Sequence, residues 1–498
     1  MFSSIGQFLR KNRFKSVLDF VLTISVRILS VDQGTSGTKA LLIDGDGKIL
    51  KRSIRDVHVS YDQSGKAETD PIELWNSIRD AVLEVSTGEK VDAIGVANQG
   101  ESILAWDRKS GEPLSKVIIW QDSRSLDICN SKCEYRDFVL ERTGLPIDPY
   151  FVAPKMAWLT ENYNLKDAVI TTTDTWFIFK LTGEFKTDPA TASRTLLLDI
   201  HNLKWSSELS KIWNISEAKL PELVSNNETA GTLNSTELPE LKGIPLVGLI
   251  VDQPAALIAE KCLSAGDIKC TFGTGAFLLV NIGTNSKISK SGLSTSIGWS
   301  ESGTVSYYWD GQVFAAASAV NWLVEMGFIK DASELDSLPI DTEVISTAGF
   351  NGFGAPTWQA RGTASFSGMT LATTKADLAR AVVDGISAQV GEVIESVRSD
   401  GISAKLMRVD GGLTQSKSLV QRTADLTQLD IEIYPHPDAT AMGTFALTKS
   451  GLTGKSIAES ISDWRSNLAI KPSWSKERTA TYMARFRALR DEGVNRNG

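Results

Sequence analysis

Ile28-Leu29-Ser30-Val31-Asp32-Gln33-Gly34-Thr35-Ser36-Gly37-Thr38-Lys39 decides the fold. Ile28 to Val31 reads as a buried strand that runs into a turn of glycines and hydroxyl residues, with an aspartate at its edge. Ala40 to Ile43 continues at once as a second strand, Asp44-Gly45-Asp46-Gly47 makes a hairpin turn, and Lys48-Ile49-Leu50 opens a third strand. The unit is strand, Gly/Thr turn, strand. A Walker loop needs G-x-x-x-x-G-K-[ST] opening a helix, and a dinucleotide fingerprint needs G-x-G-x-x-G before one; this stretch has neither. Glycines let backbone N–H groups approach phosphate oxygens, hydroxyls add donors, and an aspartate can hold magnesium through water. Such a hairpin suits a nucleoside triphosphate, although one glycine-rich strand turn by itself is usually only a turn.

The pattern returns downstream. An apolar stretch from Pro245 to Val251 leads into Asp252-Gln253, a helical segment spans Pro254 to Cys262, and Thr271-Phe272-Gly273-Thr274-Gly275-Ala276-Phe277-Leu278-Leu279 repeats the strand and turn. Leu406-Met407-Arg408-Val409-Asp410-Gly411-Gly412-Leu413-Thr414 is a third instance. Three such turns imply a repeated architecture, with hairpins on both halves closing on one nucleotide. Asp377 to Ser399 carries Leu378, Val382, Ile386, Val390, Val393 and Val397 at three-to-four spacing, which predicts an amphipathic helix against a sheet. Strands alternating with helices on this scale indicate an α/β class. The boundary between halves is expected near residues 255 to 265.

The 498 residues suit two to four domains, and 42% hydrophobic with 22% charged residues argues for a large core rather than disorder. A net charge of −8 offers no footprint for nucleic acid or an anionic membrane, so the expected partner is a small molecule. Cys129, Cys133, Cys262 and Cys270 match neither a zinc ribbon nor a redox pair and read as reduced thiols of a cytoplasmic protein. His58, His201 and His436 are too scattered for a histidine-ligated metal or a Ser-His-Asp triad. The chemistry is then left to carboxylates, amides, backbone groups and a loosely held cation. No run of 18 apolar residues appears. Residues 1–26 carry Arg10, Lys11, Arg13 and Lys15 against Asp19 alone, without the order of a signal peptide. An unneeded extension is the plain reading, and a targeting or membrane-surface helix is its alternative.

Further stretches fall in order between Arg27 and about Gly454: Ala97-Asn98-Gln99-Gly100-Glu101, Gly111-Glu112-Pro113-Leu114, Trp120-Gln121-Asp122-Ser123-Arg124, Ile147-Asp148-Pro149-Tyr150-Phe151, Thr173-Asp174-Thr175-Trp176, Ala192-Ser193-Arg194-Thr195 and Ala360-Arg361-Gly362. Ala364, Phe366, Gly368, Met369, Asp377, Leu378, Ala381 and Asp384 complete a second signature. In these the chain resembles the FGGY carbohydrate kinases, most closely their glycerol-phosphorylating branch. The resemblance implies an α/β, two-domain duplicated RNase H-like fold of the actin/hexokinase ATPase type, with ATP, Mg²⁺ and a small polyol or sugar meeting in the interdomain cleft. Residues 27–258 would be the N-terminal domain and 259–498 the C-terminal domain. Asp252 would be the base that takes the proton from the acceptor's primary hydroxyl. An aspartate can serve, because phosphoryl transfer mostly needs alignment, charge neutralisation and one proton acceptor.

By the same resemblance Asp32 would hold the Mg²⁺ shell through water, and Thr35, Ser36 and Lys39 would contact phosphates. Gly273 and Thr274 would form the second phosphate turn, and Ala317, Asn321, Gly412 and Ser416 would line the adenosine pocket. Gly100, Glu101, Trp120, Tyr150, Asp252 and Gln253 would make the polyol site. Lys39 and Gly100 stand where the glycerol-phosphorylating branch commonly carries arginines, Asn321 and Ser416 are shorter than its usual residues, and Val152-Ala153-Pro154-Lys155 leans toward xylulose-type kinases. The implied reaction is ATP-dependent phosphorylation of glycerol to sn-glycerol 3-phosphate, with another polyol or a ketose as the alternative acceptor. A nucleotide- and sugar-binding regulator without turnover is the non-enzyme alternative, which retention of Asp32 and Asp252 disfavours. A homo-oligomer is compatible with either. Taken alone, Trp120 and Tyr150 read as core aromatics, Glu101 as a solvated turn residue, Asp252 as a helix N-cap, and Gly273 and Gly412 as plain turn glycines.

Overall fold

The computed structural model describes residues 26–165, 168–359, 362–466 and 469–497. The N-terminal extension through residue 25 and Ala360-Arg361 lie outside them. Strands Arg27–Gln33 (β1), Gly37–Asp44 (β2) and Ile49–Asp56 (β3) form consecutive antiparallel pairs, with Arg27 opposite Asp44 and Gly37 opposite Asp56. The second strand is longer than expected at both ends, because the Gly/Thr turn is tight enough for pairing to start at Gln33 and Thr38. Ala93–Asn98 (β4) lies parallel to β1, and Thr229–Thr232 (β5) and Pro245–Val251 (β6) complete the sheet in the order β5-β6-β4-β1-β2-β3.

The second sheet comprises Ile268–Phe272 (β7), Ala276–Gly283 (β8), Ser294–Glu301 (β9), Thr304–Val313 (β10), Leu406–Asp410 (β11), Asp430–Ile433 (β12) and Ala469–Ile470 (β13). Its order is β9-β10-β8-β7-β11-β12-β13, in which β7 and β8 pair as a hairpin and β11 and β12 add in parallel beyond β7. Both sheets follow one plan: an antiparallel hairpin, then two parallel strands on the free edge of its first strand. This is the duplicated α/β architecture the repeated turns imply.

One expectation is corrected. β11 opens no third hairpin; Asp410-Gly411-Gly412 runs into a short 3₁₀ turn, Gly412–Gln415, and then a helix. By its place in the sheet, β11 stands to β7 as β4 stands to β1. The third glycine turn is therefore the counterpart of Asn98-Gln99-Gly100-Glu101 and not of the two hairpin turns.

The helices that position the site are Pro71–Ser86 (α1), Val152–Asn162 (α2), Asp252–Ala259 (α3), Ala317–Glu325 (α4), Lys375–Ser399 (α5), Lys417–Thr427 (α6) and Ala439–Thr453 (α7). α1 starts at the Asp70 cap and buries Leu74, Ile78 and Val82 with Leu29, Val31 and Leu42 of the first sheet. α5 begins two residues before the expected start, at a Thr374/Asp377 capping box, and its Val382, Ile386, Val390, Val393 and Val397 enter the core of the second sheet. α7 lies against the first sheet although it follows the second in sequence: the Ser30 hydroxyl donates to the Ala441 carbonyl at 2.7 Å, and Phe445 packs with Ile28, Leu41 and Ile43. A Cβ at Gly443 would stand 1.8 Å from the Ala255 carbonyl oxygen, so only glycine lets α7 sit this close to α3. Among the described residues, no helix is long and apolar enough to cross a membrane.

Candidate active site

The ends of β1, β4, β6 and β7 converge on a cavity of about 170 Å³. Thr35 and Ser36 from the first hairpin turn, Gly100 and Glu101 after β4, Trp120, Tyr150, Asp252 and Gln253 at the start of α3, and Gly273 and Thr274 from the second hairpin turn all line it. Six stretches separated by up to some 240 residues of sequence thus share one hollow between the two sheets.

Asp252 is not the helix N-cap. Val251 holds that position, and Asp252 is the first helical residue, its Oδ1 accepting the Gln253 N–H at 2.7 Å. Burial, followed by the nearby charge of Asp32, raises its carboxyl pKa to about 7, and Lys269 opposes that rise. Asp32 is raised to about 6, again chiefly by burial, with Lys39 pulling it down and Asp438 and Asp410 pushing it up. The two carboxyls therefore share one electrostatic neighbourhood. Lys39 Nζ lies 4.0 Å from Asp32 and 3.5 Å from Asp438.

Trp120 is no ordinary core aromatic. Its Nε1–H donates to the Thr35 hydroxyl at 2.8 Å, and its ring meets Tyr150 and Phe277 edge-on at centroid distances of 5.9 and 5.6 Å. This links the cavity wall to the first Gly/Thr turn and, through Phe277 on β8, to the second sheet. Glu101, expected as a solvated turn residue if read alone, is only 4% exposed and adopts φ +58°. A left-handed non-glycine residue costs on the order of 1 kcal/mol. What holds it is Arg194, whose Nε donates to Glu101 Oε1 at 2.5 Å. A Cβ built at Gly100 would meet only Val251 Cγ1 within 4 Å, at a tight 3.2 Å that a shift of that methyl by a few tenths of an ångström would relieve.

Sequence reasoning assigned no role to three charged side chains here. Arg194, 2% exposed, also donates from Nη1 to Ser296 Oγ at 2.8 Å and from Nη2 to Asp310 Oδ2 at 3.0 Å, tying the first half to β9 and β10. Its Nε, Nη1 and Nη2 are thereby each committed to a partner within the protein, so it is not a free substitute for a side chain at position 100. Lys269 on β7, fully buried, donates to Gln253 Oε1 at 2.6 Å and to Thr271 Oγ1 at 2.7 Å. The available signal for Lys269 was a charged residue inside an otherwise apolar strand; the tie of Asp310 to the first half had none, because Arg194 is remote in sequence and only Gln312, which also donates to its Oδ2, is near.

Ala317, Asn321, Gly412 and Ser416 stand outside the cavity. The Ala317 N–H donates to the Gly273 carbonyl at 3.0 Å, and Gly411 packs so tightly on Phe272 that a Cβ would lie 2.4 Å from its carbonyl oxygen. Ala317 and Gly412 thus flank the second turn from α4 and β11. Asn321 is exposed one turn along α4. The Ser416 hydroxyl caps α6 and donates to Asp336 at 2.8 Å, so it is engaged within the protein.

Among the described residues no group of three or more His, Cys, Asp or Glu forms a metal cage. Asp32 lies at the first turn, and Asp410 Oδ1 is buried without a hydrogen-bond partner. Hard oxygen donors too few to strip an ion of its water fit Mg²⁺ arriving with a nucleotide.

Two hairpin turns of this composition, facing each other across a polar hollow on a duplicated α/β frame, define a phosphotransferase of the actin/hexokinase ATPase type. Family models of the FGGY carbohydrate kinases match residues 27–259 with the N-terminal domain and residues 268–449 with the C-terminal domain. The chain belongs to the FGGY family of carbohydrate kinases. It is 36% identical over 487 residues to a glycerol kinase of Burkholderia vietnamiensis, covering 93% of this chain and 97% of the relative. The crystal structure of Plasmodium falciparum glycerol kinase with ADP superposes with a TM-score of 0.85 at 31% identity, covering 94% of this chain and 98% of the other. A gluconate kinase from Lactobacillus acidophilus, 20% identical with a TM-score of 0.85 over 95% and 99% of the two chains, shares the fold.

Proposed function

We propose that the protein transfers the γ-phosphoryl group of ATP to a primary hydroxyl of glycerol, giving sn-glycerol 3-phosphate. The observation that carries this reading is the Asp252 carboxyl in the acceptor cavity, with a Gly/Thr turn on either side. In the ionised form Asp252 accepts the hydroxyl proton as the oxygen attacks phosphorus. Lys269 holds the Gln253 carboxamide oxygen, which leaves the amide N–H₂ of Gln253 as a donor toward an acceptor hydroxyl. Glu101, fixed by Arg194, is an acceptor for another. Thr35, Ser36, Lys39, Gly273 and Thr274 bind the phosphates, and Ala317, Asn321, Gly412 and Ser416 surround the nucleoside. Mg²⁺, held through water at Asp32 with Asp410 nearby, would neutralise phosphate charge when it enters with ATP.

The identity to glycerol kinases over nearly the whole chain supports glycerol as acceptor, and the cavity's charge supports a neutral one. Its lining holds the carboxyls of Glu101, Asp252 and Asp310 against the single guanidinium of Arg194. A sugar acid would bring a further negative charge into that balance. A coupled ADP-release assay over glycerol, four- and five-carbon polyols, ketoses and gluconate tests the proposal. Glycerol is expected to rank first and gluconate to give no turnover; absence of acceptor-dependent ADP release would refute the kinase reading.

The raised carboxyls set the pH dependence. Catalysis needs Asp252 ionised, so kcat/KM should rise tenfold per pH unit up to about 7 and level off above it. Below about 6, protonation of Asp32 steepens the fall. A profile flat from pH 5.5 to 7.5 would remove Asp252 from the role of base. Gly100→Arg places a cationic donor in the space beside Val251, and is expected to lower the KM for glycerol several-fold relative to longer polyols. An unchanged ranking of acceptors would show that the gap at Gly100 does not set specificity.

A further inference from the structure

Lys155 lies in the first turn of α2, fully enclosed, at the back of the acceptor cavity wall. Its Nζ donates to the backbone carbonyl of Tyr150 at 2.5 Å and to that of Phe151 at 2.9 Å. It forms no ion pair with the described residues. The titratable groups around it come from four elements: Glu101 after β4, Asp122 in the segment after Ile118, Asp148 in the loop before α2, and Cys129 in helix Leu126–Ser131. Glu101 is occupied by Arg194, Asp122 by Arg124, and Asp148 Oδ1 by the Tyr150 N–H at 2.9 Å.

An ammonium buried without its own counter-ion, in the N-terminal turn where the helix dipole repels cations, is a poor choice for stability alone. Its geometry gives it a different use. Asp148 takes the Tyr150 N–H and Lys155 takes the Tyr150 C=O, so the backbone of this one residue is gripped from both sides. The ring so fixed stands edge-on to Trp120 and to Phe151, at centroid distances of 5.9 and 5.1 Å, and lines the cavity beside Asp252.

We propose that Lys155 is a positioning residue for the acceptor: protonated, it clamps the Tyr150 backbone and so holds the phenol ring in the wall against which the acceptor packs. The inference rests on the cavity being the acceptor site. Burial lowers the Lys155 pKa to about 8, with Glu101, Asp122 and Asp148 opposing the shift. The clamp therefore loses its charge as pH rises through about 8.

The test uses the purified full chain with glycerol and ATP varied separately between pH 7 and 9.5. Wild-type KM for glycerol should climb above pH 8 while KM for ATP does not follow it. Lys155→Met should raise the glycerol KM tenfold or more at pH 7, change kcat less than threefold, and show no further alkaline climb. Lys155→Gln, which keeps an uncharged N–H donor group on a shorter side chain, should fall between the two. A folded Lys155→Met with wild-type glycerol KM, or one that retains the alkaline climb, overturns the inference. If Lys155→Met does not fold, a wild-type glycerol KM constant from pH 7 to 9.5 overturns it instead. Wild-type protein inactive toward every acceptor counts against the kinase reading; active wild type with an unaffected variant counts against Lys155 alone.

Discussion

Asp252→Asn is expected to lower kcat by a hundredfold or more while leaving the fold intact. The carboxamide keeps the size of the side chain and can still accept the Gln253 N–H, but it cannot take a proton from the attacking hydroxyl, and general bases typically contribute 10² to 10⁴ in rate. The substitution also removes a carboxyl whose charged form is opposed by burial and by Asp32. The variant should therefore melt at or above the wild-type temperature. Steady-state kinetics beside a thermal melt separate the two effects. A variant within threefold of wild-type kcat would contradict the assignment, and a variant that loses activity together with its melting transition would point to a structural role.

Arg194→Met is expected to be the most damaging single change to stability. The guanidinium is the shared partner of Glu101, Ser296 and Asp310, all buried, and its loss strands two carboxyls in a low-dielectric interior. Removing one member of a buried ionic network typically costs about 3–5 kcal/mol. Urea unfolding should show the midpoint falling with little change in slope. The companion Arg194→Met, Glu101→Gln double variant should recover part of that loss, because one stranded charge has become a neutral amide. A loss below about 1 kcal/mol would mean that water or a rearranged partner reaches these groups.

The hairpins were legible in the sequence because their signals are local. Apolar alternation on either side of Gly34-Thr35-Ser36-Gly37 and Gly273-Thr274-Gly275 leaves few choices for the backbone. The same reading misassigned Asp410-Gly411-Gly412. Two glycines after a strand can open either a hairpin or a helix, and here the deciding residue is Ser416, whose hydroxyl accepts the Leu419 N–H and starts α6. The position of α7 was hidden for another reason: nothing local in residues 439–453 says which sheet the helix packs on, and only the fold shows that a Cβ at Gly443 would fall 1.8 Å from the Ala255 carbonyl oxygen.

The site divides in the same way. Residues on glycine turns and strand ends were found, since turns and strand ends are where a sheet presents polar groups. Arg194, Lys269 and Asp310 were not, because their roles arise from side-chain pairing between separate elements, over 16 positions between Lys269 and Gln253 and 116 between Arg194 and Asp310. Lys155 escaped for the opposite reason. Its partners are only four and five residues away, but a lysine in a helix's first turn is ordinarily solvated, and nothing in the string shows that this one is enclosed.

The most direct test of the account is ³¹P NMR of the purified protein with Mg-ATP and glycerol. A phosphomonoester signal of glycerol 3-phosphate should grow in step with ADP, with no free phosphate beyond background and neither product in Asp252→Asn over the same interval. ATP left intact, or converted to ADP and free phosphate without the monoester, would contradict transfer to the acceptor in this cavity.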